Sequence, residues 1–306
     1  MSAAARRVPS GDQANERTPR APDGERLATA GDDEKVRVIG PTGVRTLAVG
    51  ARRVRSLAWS PDGTRLAAAP TDGTARIWTI SSGHALRRLG ERTDGIHVAV
   101  WSPDGLLLAT ADRDNVVRLW RLQVSRVLGR TTAQMVDTLT GHTDWVLAAA
   151  WSPTGDRLAT AGRDLTIGVW HPATGARIAT LCGHTGAIEA LAWSPDVIRV
   201  ASTGADRTLN LWDLASPAPT TTRDTGHTDG AHSVDWSPDG DHLATADHTG
   251  LVIVWTRELR EVASLQLKPS QCLAWSAPRI AVGQPGRPAI LELRDPADLS
   301  DETPLS

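Results

Sequence analysis

Trp59-Ser60-Pro61-Asp62-Gly63 is the stretch that decides the fold, because the chain repeats it. It returns as Trp101-Ser102-Pro103-Asp104-Gly105, as Trp151-Ser152-Pro153-Thr154-Gly155, as Trp193-Ser194-Pro195-Asp196 and as Trp236-Ser237-Pro238-Asp239-Gly240, then in worn form as Trp275-Ser276-Ala277-Pro278. An earlier copy, Ala21-Pro22-Asp23-Gly24, lacks the Trp. The prolines fall at 22, 61, 103, 153, 195, 238 and 278, at steps of 39, 42, 50, 42, 43 and 40 residues. Pro pre-sets the backbone for a tight turn and Gly takes its positive dihedral. A repeat of this length is that of a unit of four short strands.

Within each period, apolar and polar residues alternate at period two between turn signals. A first strand ends at the Trp: Val54–Trp59, Ile96–Trp101, Val146–Trp151, Ile188–Trp193, Ala231–Trp236 and Cys272–Trp275. The second strand reads Leu-Ala-Thr-Ala or close to it, at Leu27–Ala30, Leu108–Ala111, Leu158–Ala161 and Leu243–Ala246. A third strand ends in Trp, at Ala75–Trp78, Val116–Trp120, Thr166–Trp170, Thr208–Trp212 and Leu251–Trp255, and a more variable fourth follows, such as Val136–Leu139 or Arg177–Leu181. The step of 50 contains an insertion within Gln123–Gln134, expected to form an enlarged surface loop.

The 306 residues carry 33 Lys and Arg against 35 Asp and Glu, a net charge of −2, so the broad basic footprint of a nucleic-acid binder is missing. No apolar run reaches the roughly 18–20 residues of a membrane span. The start, Met1-Ser2-Ala3-Ala4-Ala5-Arg6-Arg7, runs into polar chain instead of a signal-peptide core. Cys182 and Cys272 are the only thiols, which excludes a disulfide framework and makes a reducing cytoplasm the expected compartment. Twelve Trp stand beside no Phe and no Tyr, and the only lysines are Lys35 and Lys268. That bias matches a GC-rich, bacterial-type genome, and it leaves aromatic packing to Trp alone. Six Trp end first strands and five end third strands, so only Trp145 has no place in the repeat.

Over residues 21–293 this pattern resembles the WD-repeat (WD40) family of β-propellers. The family's Gly-His element stands at Gly141-His142, Gly183-His184 and Gly226-His227, and its terminal dipeptide at Trp212-Asp213. The resemblance implies an all-β, seven-bladed β-propeller of four-stranded antiparallel blades. It also implies that His, a second-strand Ser or Thr, a turn Asp and the third-strand Trp form a hydrogen-bonded chain in each blade. Carried over by position, His142–Thr160–Asp164–Trp170 and His184–Ser202–Asp206–Trp212 are complete sets. The set His227–Thr245–Trp255 has Thr249 in place of Asp, and Thr110–Asp114–Trp120 has Arg92 in the His position. Asp33, six residues before Ile39, marks a first blade without its Trp. Blades four and five are therefore expected to be the best pinned. His84 follows Trp78 too closely to serve, and is expected to face solvent.

The last blade has three recognisable strands, ending near Leu293, before an acidic polar tail at 294–306 that is expected to be disordered. Residues 1–20 form an N-terminal segment, and its part near 4–8 is expected to close the ring. Val8 stands 14 positions before Pro22, as Leu47, Leu89, Leu139 and Leu181 stand before their prolines. The first strand of blade one then falls at Asn15–Arg20, which is polar and contains Pro19. The rival expectation leaves residues 1–20 disordered and the ring under-closed.

No catalytic or cofactor motif is found: no G-x-S-x-G, H-E-x-x-H, G-x-x-x-x-G-K-[ST] or C-x-x-C. Ser60-Pro61-Asp62-Gly63 places its Gly one position early for a sialidase box, and Ser216–Thr222 reads as a long connection. Cys182-Gly183-His184 and the trio His242, Asp247 and His248 invite a metal, but His184 already has a structural place and the trio lacks a further ligand. The reading is therefore no enzyme, no metal, no cofactor, no nucleic acid and no membrane. The expected function is a cytoplasmic, non-catalytic scaffold with a rigid rim for protein or peptide partners. The resemblance places on that rim Arg53, Asp94, Arg113, Asp144, Trp145, Arg163, Asp229 and His248. The alternatives are a ligand-sensing or enzymatic propeller using the central channel, and a sensor subunit of a larger signalling assembly.

Overall fold

A computed structural model describes residues 21–30, 34–50, 54–83, 85–89, 95–124, 131–214, 216, 218–267, 272–276, 279–283 and 289–292. These form 26 strands in seven antiparallel sheets, five of four strands and two of three. Sheet one is Leu27–Ala30, Lys35–Gly40 and Gly43–Ala48. Sheet two is Val54–Trp59, Arg65–Pro70, Ala75–Thr79 and Ala85–Leu89; sheet three is Ile96–Trp101, Leu107–Asp112, Val117–Val124 and Thr131–Leu139. Sheet four is Val146–Trp151, Leu158–Gly162, Thr166–His171 and Ala176–Cys182; sheet five is Ile188–Trp193, Arg199–Gly204, Thr208–Asp213 and Thr221–Asp224. Sheet six is Ala231–Trp236, His242–Asp247, Leu251–Thr256 and Glu261–Gln266; sheet seven is Cys272–Ser276, Arg279–Gly283 and Ala289–Glu292. Every pairing joins strands consecutive in the chain.

The turns after Trp59, Trp101, Trp151, Trp193 and Trp236 are closed by the same hydrogen bond, with Val197 taking the positive dihedral of the Gly in the Trp193 copy. In the Trp59 copy, Gly63 N–H donates to Ser60 O at 2.8 Å with Gly63 at φ +65°, and the Asp62 carboxylate accepts from Ser60 Oγ and Thr64 N. Sheet four has Thr154 where Asp stands elsewhere, and Asp156 takes over, accepting from Ser152 Oγ at 2.8 Å.

A sheet with two apolar faces cannot shield both alone, and the core is divided accordingly. There are six clusters of buried side chains, each joining two consecutive sheets. Ala67, Ala69 and Ile77 of sheet two, for example, pack with Ile96, Trp101 and Leu108 of sheet three. Polar staples fix the registry between sheets. The indole Nε1–H of Trp101 donates to Ala58 O at 3.2 Å, that of Trp151 to Val100 O at 3.2 Å and that of Trp193 to Ala150 O at 2.9 Å. Arg26 and Arg65 reach forward the same way. Arg26 donates to Gly63 O at 2.8 Å and covers Trp59, while Arg65 donates to Gly105 O at 3.0 Å and covers Trp101.

One expectation is corrected here. The insertion does not open into a loop from Gln123. Its two arms continue the third and fourth strands of sheet three, with Gln123 opposite Thr132 and Val124 opposite Thr131, and its middle, 125–130, lies outside the described residues. Alternation of polar residues with Leu122 and Val124 sustains pairing beyond the usual strand length. The strand proposed near 4–8, Asn15–Arg20, the tail, Asp33 and His84 lie outside the described residues.

Candidate functional site

Strand register brings two kinds of loop to one end of sheets four, five and six. Val146 lies opposite Gly162, so the segment leading into the first strand of sheet four and the turn after its second strand emerge side by side. The same holds for Ile188 with Gly204 and for Ala231 with Asp247. In each of these first strands the register shifts near the start, as it also does in sheets two and three. In sheet four this presses the Trp145 carbonyl so close to Gly162 that a Cβ there would lie 1.8 Å from the oxygen.

Beneath this end, His142, Thr160, Asp164 and Trp170 form one chain. His142 Nδ1 is 2.7 Å from Asp164 Oδ2, His142 Nε2 is 2.8 Å from Thr160 Oγ1, and Trp170 Nε1–H donates to Thr160 Oγ1 at 2.7 Å. With a neutral imidazole, one proton arrangement satisfies every contact. Trp170 donates to the threonine oxygen, the threonine hydroxyl donates to Nε2, and Nδ1–H donates to the carboxylate. His184, Ser202, Asp206 and Trp212 repeat this at 2.7, 2.6 and 2.7 Å. Burial raises the pKa of Asp164, but its hydrogen bonds with His142 and with the Thr166 and Thr143 amides outweigh it and bring the group to about 2. Asp206 is likewise held well below the usual carboxylate range against its burial, by His184.

Sheet six corrects the expectation that Thr249 leaves its chain without an acid. Asp247, at the end of the second strand, reaches His227 Nδ1 at 3.1 Å, while His227 Nε2 lies 2.9 Å from Thr245 Oγ1 and Trp255 Nε1–H donates to Thr245 Oγ1 at 2.9 Å. Thr249 supports that acid, its hydroxyl donating to Asp247 Oδ1 at 2.7 Å. Burial pushes the pKa of His227 down despite Asp247.

Sheet three departs differently. Trp120 Nε1–H donates to Thr110 Oγ1 at 2.8 Å, but Asp114 is held by Arg118, which also pairs with Asp112 at 3.2 Å. Sheet two uses the same device, with Arg76, 3% exposed, ion-paired to Asp72. Both arginines stand two places before the third-strand Trp. The Arg-x-Trp signal is legible in the sequence, and it marks sheets whose turn acid is held by Arg instead of His.

Trp145 is half-buried at the rim, with the guanidinium carbon of Arg163 4.0 Å and that of Arg113 4.3 Å from its ring centroid. Arg163 comes from Trp145's own sheet and Arg113 from the preceding one. Arg113 Nε–H donates to His97 Nε2 at 3.3 Å, and the His97 ring lies 5.5 Å from Trp145 at 40°. Asp144 adjoins this group and accepts the Trp145 N–H at 2.7 Å. His248 stacks on His232 with ring centroids 4.0 Å apart, at the same end of sheet six, near the exposed Asp229. Arg53, Asp94 and Arg92 lie outside the described residues.

Asp235 was not singled out from sequence. It accepts Trp236 N–H at 2.9 Å and, across the seam to sheet seven, Trp275 N–H at 2.8 Å, while Ser233 Oγ accepts Leu273 N–H at 3.1 Å. Burial raises the Asp235 pKa to about 6 against those two donors. The corresponding positions in other sheets are Ala58, Val100, Ala150 and Ala192, so a carboxylate there stands out in alignment. Residues once weighed as metal ligands point to different partners. His184 is engaged at both nitrogens, Asp247 serves His227, and His242 stacks on Trp275. Among the described residues, no group of three His, Cys, Asp or Glu is arranged to hold a metal ion.

Two family profiles match the chain. "WD domain, G-beta repeat" matches residues 133–171, 175–213 and 219–256, and "Anaphase-promoting complex subunit 4 WD40 domain" matches 22–102. Among relatives, WD repeat-containing protein 1 of Bos taurus is 36% identical over 67 residues, covering 20% of this chain and 11% of the relative. The protein of that name from Gallus gallus is 35% identical over 68 residues, with the same coverage. This chain therefore matches only a small part of either relative. With the repeating sheets and the His–Ser/Thr–Trp chains inside them, these matches identify residues 133–256 as WD repeats.

Proposed function

We propose that the chain is a seven-bladed WD-repeat propeller, closed by pairing of residues near 4–8 with sheet seven. It works as a cytoplasmic, non-catalytic platform whose rim takes protein or peptide partners. Function on this fold lives in its loops, and a preformed rim loses little binding energy to ordering. The observation that carries the reading is Trp145. Eleven Trp have packing places in the repeat, whereas this one stands at the rim between two arginines, the residue types that dominate interface hot spots. The His142, His184 and His227 chains beneath the rim are closed by internal hydrogen bonds, which supports a rigid platform.

Affinity capture from the native cell with wild type and Trp145→Ala tests the site. Loss of a captured partner by the variant is expected, and equal recovery of every partner refutes it. Deletion of residues 1–10 tests closure; an unchanged melting temperature refutes that part.

A further inference from the structure

We propose that Arg113, Trp145 and Arg163 form a receptor for an extended acidic segment of a partner protein, read through two carboxylates at alternate positions. This rests on the rim reading above and adds the chemistry of the partner.

Both guanidinium carbons lie near one indole centroid, at 4.3 and 4.0 Å, so their separation cannot exceed the sum of the two, about 8 Å. Side chains on one face of an extended chain recur every second residue, roughly 6.6 Å apart. The spacing of two carboxylates at positions i and i+2 falls within that bound. Each guanidinium carries N–H groups in a fork that suits bidentate pairing with a carboxylate.

The neighbouring acids do not neutralise this pair. Asp112 and Asp114 are held by Arg118, Asp164 by His142, and Asp144 accepts the Trp145 amide. Among the described residues neither Arg113 nor Arg163 has a carboxylate partner, and Arg163 is exposed. His97 occupies only Arg113 Nε, which orients the guanidinium and leaves both Nη groups available. A net charge of −2 over the chain gives the pair no surrounding basic field of the kind that tracks nucleic acid. An acidic peptide is therefore favoured over RNA.

Fluorescence anisotropy with a fluorescein-labelled peptide Gly-Ser-Glu-Val-Glu-Ser-Gly tests the proposal on the full chain. The Gln-Val-Gln peptide, the Lys-Val-Lys peptide and a ten-nucleotide uridine RNA serve as competing probes. Binding of the Glu peptide is expected, at least about tenfold tighter than the Gln peptide and weakening with salt. Arg113→Gln and Arg163→Gln are each expected to weaken it about tenfold, with melting curves matching wild type. The proposal is overturned if no Glu peptide binds, if the Gln or Lys peptide binds as tightly, if RNA binds in preference, or if folded variants bind unchanged. Partner capture by Trp145→Ala is scored separately. A variant that loses a captured partner while wild type ignores the Glu peptide overturns the acidic inference and leaves the rim reading standing.

Discussion

Thr160→Val probes the buried polar chain with almost no change in side-chain shape. Thr160 is fully buried, and its oxygen is the single atom that both takes the Trp170 indole proton at 2.7 Å and meets His142 Nε2 at 2.8 Å. Valine fills the space but strands two buried polar atoms, since neither Trp170 nor His142 can swing to water without disrupting the layer shared with sheet three. A buried polar group left unsatisfied costs about 1–3 kcal/mol, so the pair predicts a loss of about 2–6 kcal/mol. Urea unfolding followed by far-ultraviolet circular dichroism measures it, with Thr180→Val on the exposed outer strand as the control. A loss within about 0.5 kcal/mol of that control would show that the chain of bonds contributes nothing beyond packing, and would refute the reasoning.

Three further outcomes follow from the same geometry. Asp235 holds a proton in the fold up to about pH 6, whereas an ordinary Asp releases it near 3.8; the folded state binds more protons in that window, so stability falls by about 3 kcal/mol as pH rises through it. Equilibrium unfolding across pH should show this slope in wild type and lack it in Asp235→Ala, while Asp164 and Asp206 give the opposite limb in both, losing stability as pH falls below about 3.8. Gly162→Ala sets a methyl 1.8 Å from the Trp145 carbonyl and should cost about 1–3 kcal/mol in unfolding free energy while displacing the rim segment, read as weakened partner capture. Arg65→Met removes the bond to Gly105 O and the cover over Trp101, and should lower the urea midpoint by an amount equivalent to about 1 kcal/mol.

Much of the fold was written plainly in the sequence, because a Trp at each strand end and a Pro-Asp-Gly turn are local signals that survive without knowledge of neighbours. Val146–Trp151 and Ile188–Trp193 have the bounds that the repeat gives them. What escaped was chemistry that depends on which side chain reaches first. Asp247 supplies the acid of sheet six from two residues earlier than the expected position, at the strand end that Gly162 and Gly204 occupy in sheets four and five, and Thr249 is left as its support. Asp114 was placed in a chain with Thr110, yet Arg118 lies on the adjacent strand and takes it by charge. The reach of these two strands into Gln123–Gln134 was hidden because Gln123, Thr131, Thr132 and Gln134 read as loop. Trp145 could be isolated by elimination, but the two arginines stacked on it come from turns of different sheets, and that proximity is a product of assembly.

Because every apolar layer is owned jointly by two consecutive sheets, the polypeptide backbone is not what holds one sheet to the next. Severing the chain at Gly183, between sheets four and five, would leave Ala159, Ile167 and Leu181 still facing Val200 and Trp212. The two halves would remain one particle after the cut, and could be made as separate polypeptides that find each other through that surface.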